Sequence, residues 1–151
     1  MTAPQLQTAT TDDLEGLVEL ARAFYDGEGY PFDQPRTRVA LERILEEPSL
    51  GCVWLIDDDG RRAGYIVMTL GYSLEYGGRD AFVDELYVEP SCRRRGLASA
   101  AIDYVVEVCG QLGVRALHLE VERDNSGGQA LYRKHGFSDR DRYLLTKPLI
   151  P

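Results

Sequence analysis

Residues 83–99, Val-Asp-Glu-Leu-Tyr-Val-Glu-Pro-Ser-Cys-Arg-Arg-Arg-Gly-Leu-Ala-Ser, constrain this chain more than any other stretch. They read as a strand, a short basic turn and the first residues of a helix. Gly96 and the small Ala98 leave backbone N–H groups uncovered at the helix start, and Arg93, Arg94 and Arg95 place positive charge beside them. A helix N-terminus with bare amides and local positive charge holds a phosphate or pyrophosphate. The chain is therefore expected to bind a phosphorylated small molecule at the end of a central strand. It lacks Gly-x-x-x-x-Gly-Lys-Ser/Thr and Gly-x-Gly-x-x-Gly, which argues against a P-loop nucleotidase and a dinucleotide-binding turn.

The run Arg93-x-x-Gly96-x-Ala98 resembles the Arg/Gln-x-x-Gly-x-Gly/Ala signature of the GNAT superfamily of acetyl-CoA-dependent N-acetyltransferases. A second segment adds to it. Leu117 to Val121 alternates as a strand, and Asn125-Ser126-Gly127-Gly128-Gln129-Ala130-Leu131-Tyr132 leads to Gly136-Phe137. This is similar to the family's second signature, with Gly128 where many members carry Ala. The two signatures stand in the family's order and spacing, one helix and one strand apart. The resemblance covers roughly Gly51 to Pro148; the first fifty residues match mainly in their pattern of helices.

The rest of the chain fits one domain over residues 1–151, with no repeat, low-complexity tract or linker. Gln5 to Thr8 is a candidate strand. Thr11 and Asp12 are candidate caps for a helix carrying Leu14, Leu17, Val18, Ala21 and Phe24 inward, broken by Gly27 to Pro31. Asp33 and Pro35 start a second helix, with Leu41, Ile44 and Leu45 inward and an end near Pro48. Cys52 to Ile56 and Ala63 to Leu70 form a hairpin about Asp57-Asp58-Asp59-Gly60. A second turn at Glu75 to Asp80 leads into the strand Phe82 to Val88. A helix from about Leu97 to Leu112 carries Leu97, Ala101, Val105, Val108 and Leu112 as a stripe and ends at Gly113. It crosses over to the strand Ala116 to Val121, which should lie parallel to the preceding one. A short helix, Ser126 to His135, and a final stretch, Tyr143 to Leu149, follow. The order gives an α+β fold: a mostly antiparallel mixed sheet containing one parallel pair, with helices on both faces. The resemblance implies the same architecture, with the parallel pair splayed.

Hydrophobic content of 44% and charged content of 28% are ordinary for a soluble globular chain. No apolar run reaches the length of a membrane span, and the first residues do not read as a secretory signal, so no membrane partner is expected. Cys52, Cys92 and Cys109 are odd in number and irregularly spaced, which fits free thiols in a reducing cytoplasm. Neither they nor His118 and His135 show zinc spacing, so no metal is expected. A net charge of −8 argues against nucleic acid as a partner. It suits a cationic acceptor, or serves solubility alone.

What the resemblance implies for the site follows residue by residue. The splayed strand offers the backbone of Leu86, Tyr87 and Val88 to the pantetheine arm of acetyl-CoA. The pyrophosphate lies on the turn formed by Arg93, Arg94, Arg95, Gly96, Leu97, Ala98 and Ser99, with the Arg93 side chain reaching in or bracing the turn. Asn125 bonds the pantetheine, caps the following helix, or both. Tyr132 is the candidate acid for the departing thiolate, since a phenol stays protonated at neutral pH. Asp84 and Glu85 are the candidate base and acceptor-holding carboxylate. Strict alternation sends them to opposite faces. Tyr25, Glu28, Tyr30, Phe32, Tyr72 and Tyr76 form either an acceptor pocket suited to an ammonium group or ordinary loop packing. His118 and His135 are assigned to no chemistry.

The expected activity is transfer of acetyl from acetyl-CoA to a primary amine of a small, cationic molecule. A protein lysine or N-terminus is the alternative acceptor, and a non-catalytic acyl-CoA sensor is the alternative class. A homodimer is compatible with a chain of this size.

Overall fold

A computed structural model describes residues 3–150, as two units divided after Glu120. The first is built on a sheet of β1 (Gln5–Thr8), β2 (Gly51–Asp58), β3 (Arg61–Ser73), β4 (Gly78–Val88) and β5 (Ala116–Leu119), in that spatial order. All neighbours run antiparallel except β4 and β5, which are parallel. The parallel pair thus lies at the edge of the described sheet rather than inside it. The β2–β3 hairpin closes on Asp59 and Gly60, both at positive φ (51° and 78°), as a two-residue turn of primed type requires. The turn sits one residue later than its sequence suggested.

Two helices cover one face. α1 (Leu14–Glu28) follows a single 3₁₀ turn whose cap is Thr10, not Thr11 or Asp12. The Thr10 hydroxyl accepts from the Asp12 N–H at 3.3 Å, and the Thr10 N–H donates to the Asp13 carboxylate at 2.9 Å. That reciprocal pairing satisfies donors a helix start leaves open. α2 (Gln34–Glu46) is capped by Asp33, which accepts from the Arg36 N–H at 3.0 Å. Leu17, Val18, Ala21 and Leu41 pack from these helices against Val53, Leu55, Tyr65, Val67 and Tyr87 of the sheet. Each such aliphatic side chain contributes about 1.5–3 kcal/mol through burial.

α3 (Leu97–Leu112) covers the other face. Its Tyr104 ring meets Trp54 edge-on at 5.8 Å, and Cys109 Sγ lies 3.6 Å from Met68 Sδ. The buried stripe is Leu97, Ala101, Ile102, Val105 and Cys109. Leu112 is exposed and Val108 only partly buried, because Ile102 and Cys109 share the helical face of Ala101 and Val105.

The second unit holds α4 (Ser126–Lys134). The stretch Tyr143 to Leu149 forms no strand, and Tyr143, Leu144, Leu145 and Leu149 are exposed.

Candidate active site

The site of the first unit is set by an irregularity in β4. Val67 of β3 pairs with Glu85, but the next residue, Met68, pairs with Val83. Asp84 is the extra residue of a β-bulge, a device that re-aims side chains and is common beside active sites. The bulge breaks the alternation that would put Val83 and Glu85 on one face. Val83 shares the α3 face with Met68, whereas Glu85 shares the opposite face with Val67. The Asp84 charge lies near enough to act on Glu85, Tyr25 and Tyr65.

Past the bulge the strand has one free edge. Pairing with β5 runs only from Asp80–Ala116 to Val83–Leu119, while Leu86, Tyr87 and Val88 pair with β3 alone. Their other backbone groups face no strand of the described sheet.

β4 leads through a 3₁₀ turn, Pro90–Cys92, into the basic loop. The Arg93 guanidinium donates through Nε to the Val88 carbonyl at 2.8 Å and lies 5.9 Å from the Tyr87 ring centre. Arg93 therefore braces the strand end. Arg95 pairs with Asp58 at 2.5 Å. Arg94 is exposed, at φ 64°, and has no hydrogen-bond or ion-pair partner among the described residues. Gly96 caps α3 at φ 79°, no side chain caps that end, and the first helical bond runs from Ala100 N–H to Gly96 C=O at 3.0 Å. The amides before Ala100 thus point out of the helix start, toward any anion held there.

Glu85 is held on both oxygens by phenols. Tyr25 on α1 donates to its Oε2 at 2.5 Å, and Tyr65 on β3 donates to its Oε1 at 2.7 Å. Burial raises the Glu85 pKa, the two phenols pull it back down, and the neighbouring Asp84 charge adds to the rise. Both phenols are held far above their usual range, first by burial and then by the facing carboxylate, so both stay donors. Phe24, Tyr87, Tyr30 and Phe32 complete an aromatic web: Phe24 meets Tyr65 and Tyr87, and Tyr25 meets Tyr30 at 6.1 Å and Phe32 at 5.4 Å. Asp84 is open to solvent, and partial desolvation raises its carboxyl.

The structure brings together only part of the expected acceptor pocket. Tyr25, Tyr30 and Phe32 form the web, but Arg22 already lies over the Phe32 ring at 5.3 Å. Glu28 is exposed, and its side chain has no hydrogen bond or ion pair among the described residues. Tyr72 is 74% exposed on the far extension of β3. Tyr76 packs instead on His118, 5.7 Å between ring centres. Sequence reasoning named His118 without assigning it chemistry and passed over Tyr65. The His118 Nε2 lies 3.1 Å from Asp80 Oδ2, and its ring lies 4.9 Å from Phe82. Period-2 spacing of Asp80 and Phe82, opposite a His on a parallel strand, was the available signal. Tyr65 carried none, since it reads as an ordinary strand aromatic. An open groove of about 760 Å³ between β1 and α3, lined by Gln5, Leu6, Asp57, Asp103, Tyr104 and Glu107, involves none of these residues. Among the described residues no cluster of His, Cys, Asp and Glu is placed to share a metal ion.

In the second unit Asn125 caps α4, accepting from the Gly128 N–H at 2.9 Å. A Cβ on Gly128 would lie 2.6 Å from the Asn125 amide nitrogen, which gives the glycine a local reason. Tyr132 is partly buried, meets Phe137 edge-on at 6.1 Å, and has its phenol pKa raised by burial.

The family model described as Acetyltransferase (GNAT) family matches residues 14–137. A mycothiol acetyltransferase of Clavibacter michiganensis subsp. michiganensis is 34% identical over 138 residues, 89% of this chain and 42% of that one. A putative [ribosomal protein bS18]-alanine N-acetyltransferase of Bacillus subtilis is 29% identical over 112 residues, 74% of this chain and 70% of that one. The chain thus spans about two fifths of the mycothiol acetyltransferase it matches. An integron cassette protein from a salt-marsh metagenome superposes with a TM-score of 0.88 at 39% identity, covering 97% of this chain and 91% of that one. A predicted acetyltransferase of Clostridium acetobutylicum, crystallised with acetyl-CoA, shares the fold at 18% identity with a TM-score of 0.81, covering 96% of each chain. With its bulged β4, its parallel β4–β5 pair and its glycine-capped α3, this chain belongs to the GNAT family of acetyltransferases.

Proposed function

We propose that this chain transfers an acetyl group from acetyl-CoA to the primary amine of a small cationic molecule, as a single domain acting in the cytoplasm. The observation that carries the reading is the edge of β4 at Leu86 to Val88, left unpaired by β5 and held at the Val88 carbonyl by Arg93, leading through the Pro90–Cys92 turn to an α3 start that no side chain caps. An extended pantetheine arm can bond the first, and a pyrophosphate the second. Arg94, Arg95 and the amides from Gly96 to Ser99 receive the phosphates, while Arg93 holds the strand end in place. The Asp84–Glu85 pair attends to the acceptor. The amine nitrogen attacks the thioester carbon, a tetrahedral adduct forms, the C–S bond breaks, and Tyr132 donates a proton toward the departing sulfur. Asn125 caps α4 and is available to the pantetheine.

A small-molecule acceptor is favoured by the aromatic web over Glu85, and a relative named for mycothiol supports it. The test is calorimetric titration with acetyl-CoA, followed by acetyl-CoA consumption with small alkylamines, lysine peptides and N-terminal peptides. Binding with turnover of alkylamines is expected. Faster turnover of peptides transfers the function to protein acceptors, and binding without any turnover makes the chain a sensor. Tyr132→Phe should lower kcat by about 10- to 1,000-fold with acetyl-CoA affinity nearly intact. A kcat within about two-fold of the parent removes Tyr132 from the mechanism.

A further inference from the structure

Both oxygens of Glu85 are taken up by phenols. Tyr25 holds Oε2 from α1 and Tyr65 holds Oε1 from β3, so the carboxylate is fixed from two directions. Tyr65 is wholly buried, and its hydroxyl is directed at Glu85. A base must offer a lone pair to an incoming proton. Each phenol donor occupies one of the carboxylate's roughly four lone-pair sites and favours the charged form of the acid, which leaves sites for an ammonium while lowering the affinity for a proton. Asp84 is the opposite case. It is open to solvent and has no hydrogen-bond or ion-pair partner among the described residues, so it can take a proton and pass it to water. The titratable groups facing Glu85 are Tyr25 from α1, Tyr65 from β3 and Asp84 from β4 itself, with Tyr30 adjoining Tyr25.

We propose that Tyr25 and Tyr65 are positioning residues that hold Glu85 as a fixed anion, so that Glu85 anchors the acceptor as an ammonium ion and Asp84 takes its proton. The inference rests on the acetyl-transfer reading above. An alkylammonium, with a pKa of about 10.4, binds this anion at neutral pH. An arylamine, uncharged there, gains nothing from it. One proton passes from the ammonium to Asp84 and on to water, freeing the lone pair that attacks the thioester carbon. The second leaves the nitrogen of the adduct as the C–S bond breaks, and one proton ends on the sulfur.

Tyr25→Phe and Tyr65→Phe each remove one donor and keep the ring. Each should raise KM for an alkylamine about ten-fold, the loss expected for a hydrogen bond to a charged group. kcat should stay within about two-fold, and KM for an arylamine should not change. The acid limb of the alkylamine KM should move to higher pH, since the anion is less favoured, while the acid limb of kcat stays in place. In a Glu85→Gln background the tyrosine substitutions should lose their effect. A fall in kcat with a shifted kcat profile makes Glu85 the base and overturns the assignment. No change in any of these quantities reduces the phenols to core packing and overturns it equally. Should Tyr65→Phe fail to fold, the half-buried Tyr25→Phe decides alone. If the parent binds acetyl-CoA but acetylates no amine, the acetyl-transfer reading fails rather than the clamp. Carboxyl-carbon NMR of Glu85 then reads the clamp directly: its titration midpoint should rise in Tyr25→Phe, and an unmoved midpoint rejects it.

Discussion

Gly96 shows how much one residue can carry. Its φ of 79° lies where a side chain is strained, yet a Cβ built there meets nothing within 4 Å. The sequence suggested that a side chain at this position would crowd the amides. Within the protein itself the penalty is conformational, and only a bound anion would feel crowding. Gly96→Ala should therefore cost about 1–2 kcal/mol of stability and weaken acetyl-CoA binding. Thermal denaturation and calorimetry measure the two effects. If neither changes, the left-handed turn is not needed for the phosphate site. Arg93 and Arg94 divide the charge of the same loop. The motif arginine bonds the Val88 carbonyl, while its neighbour has no partner within the described residues.

At the scale of elements, the close approach of β3 and β4 sets the free edge. Gly64 pairs with Val88, and a Cβ on Gly64 would lie 1.9 Å from the Tyr87 carbonyl oxygen. That neighbour is backbone and cannot swing aside. Gly64→Ala should push the end of β4 outward, at the about 1–3 kcal/mol typical of overpacking, and should weaken acetyl-CoA binding without touching Arg94 or Gly96. A variant with parental stability and affinity would show that the strand end tolerates displacement. Elements like these were legible in the sequence because their signals are local. The run Asp57-Asp58-Asp59-Gly60 announced the hairpin, one residue early, Asp33 and Asn125 their helices, and Gly113 the end of α3 at its observed place. The bulge at Asp84 was not legible, because an extra residue shows only against the register of its partner strand. Nor was the clamp, whose hydrogen bonds join residues 20 and 60 positions apart in the chain. The apolar tail from Tyr143 to Leu149 has a strand's composition, yet it forms no strand in the described chain. Composition alone does not supply a pairing partner.

On the scale of the whole molecule, one acid of the site, Asp84, works against the fold that holds it. The chain carries 25 acidic residues against 17 Lys and Arg, and most of the acids are exposed. Asp84 differs, because desolvation raises its pKa above the ordinary value of 3.8 and nothing compensates it. The folded state then binds a proton more readily than the unfolded chain. Stability is greatest where both are protonated and falls as pH rises through the window above 3.8. Asp84→Asn removes that loss. It should raise stability at neutral pH by less than about 1 kcal/mol, since the carboxyl reaches solvent, and so raise Tm by no more than about 2–4 °C. Parent and variant should converge below pH 3.8, where the carboxyl is neutral in both states. Glu85→Gln should behave in the opposite way. Its carboxyl is also raised, but an amide offers only one acceptor oxygen to two phenols, one of them wholly buried. A buried donor left without an acceptor costs about 1–3 kcal/mol, more than relief from desolvation returns. Thermal denaturation of both variants from acid to neutral pH checks the pair of signs. A destabilised Asp84→Asn, or a stabilised Glu85→Gln, would mean that Asp84 has a compensating partner or that the phenols do not depend on Glu85.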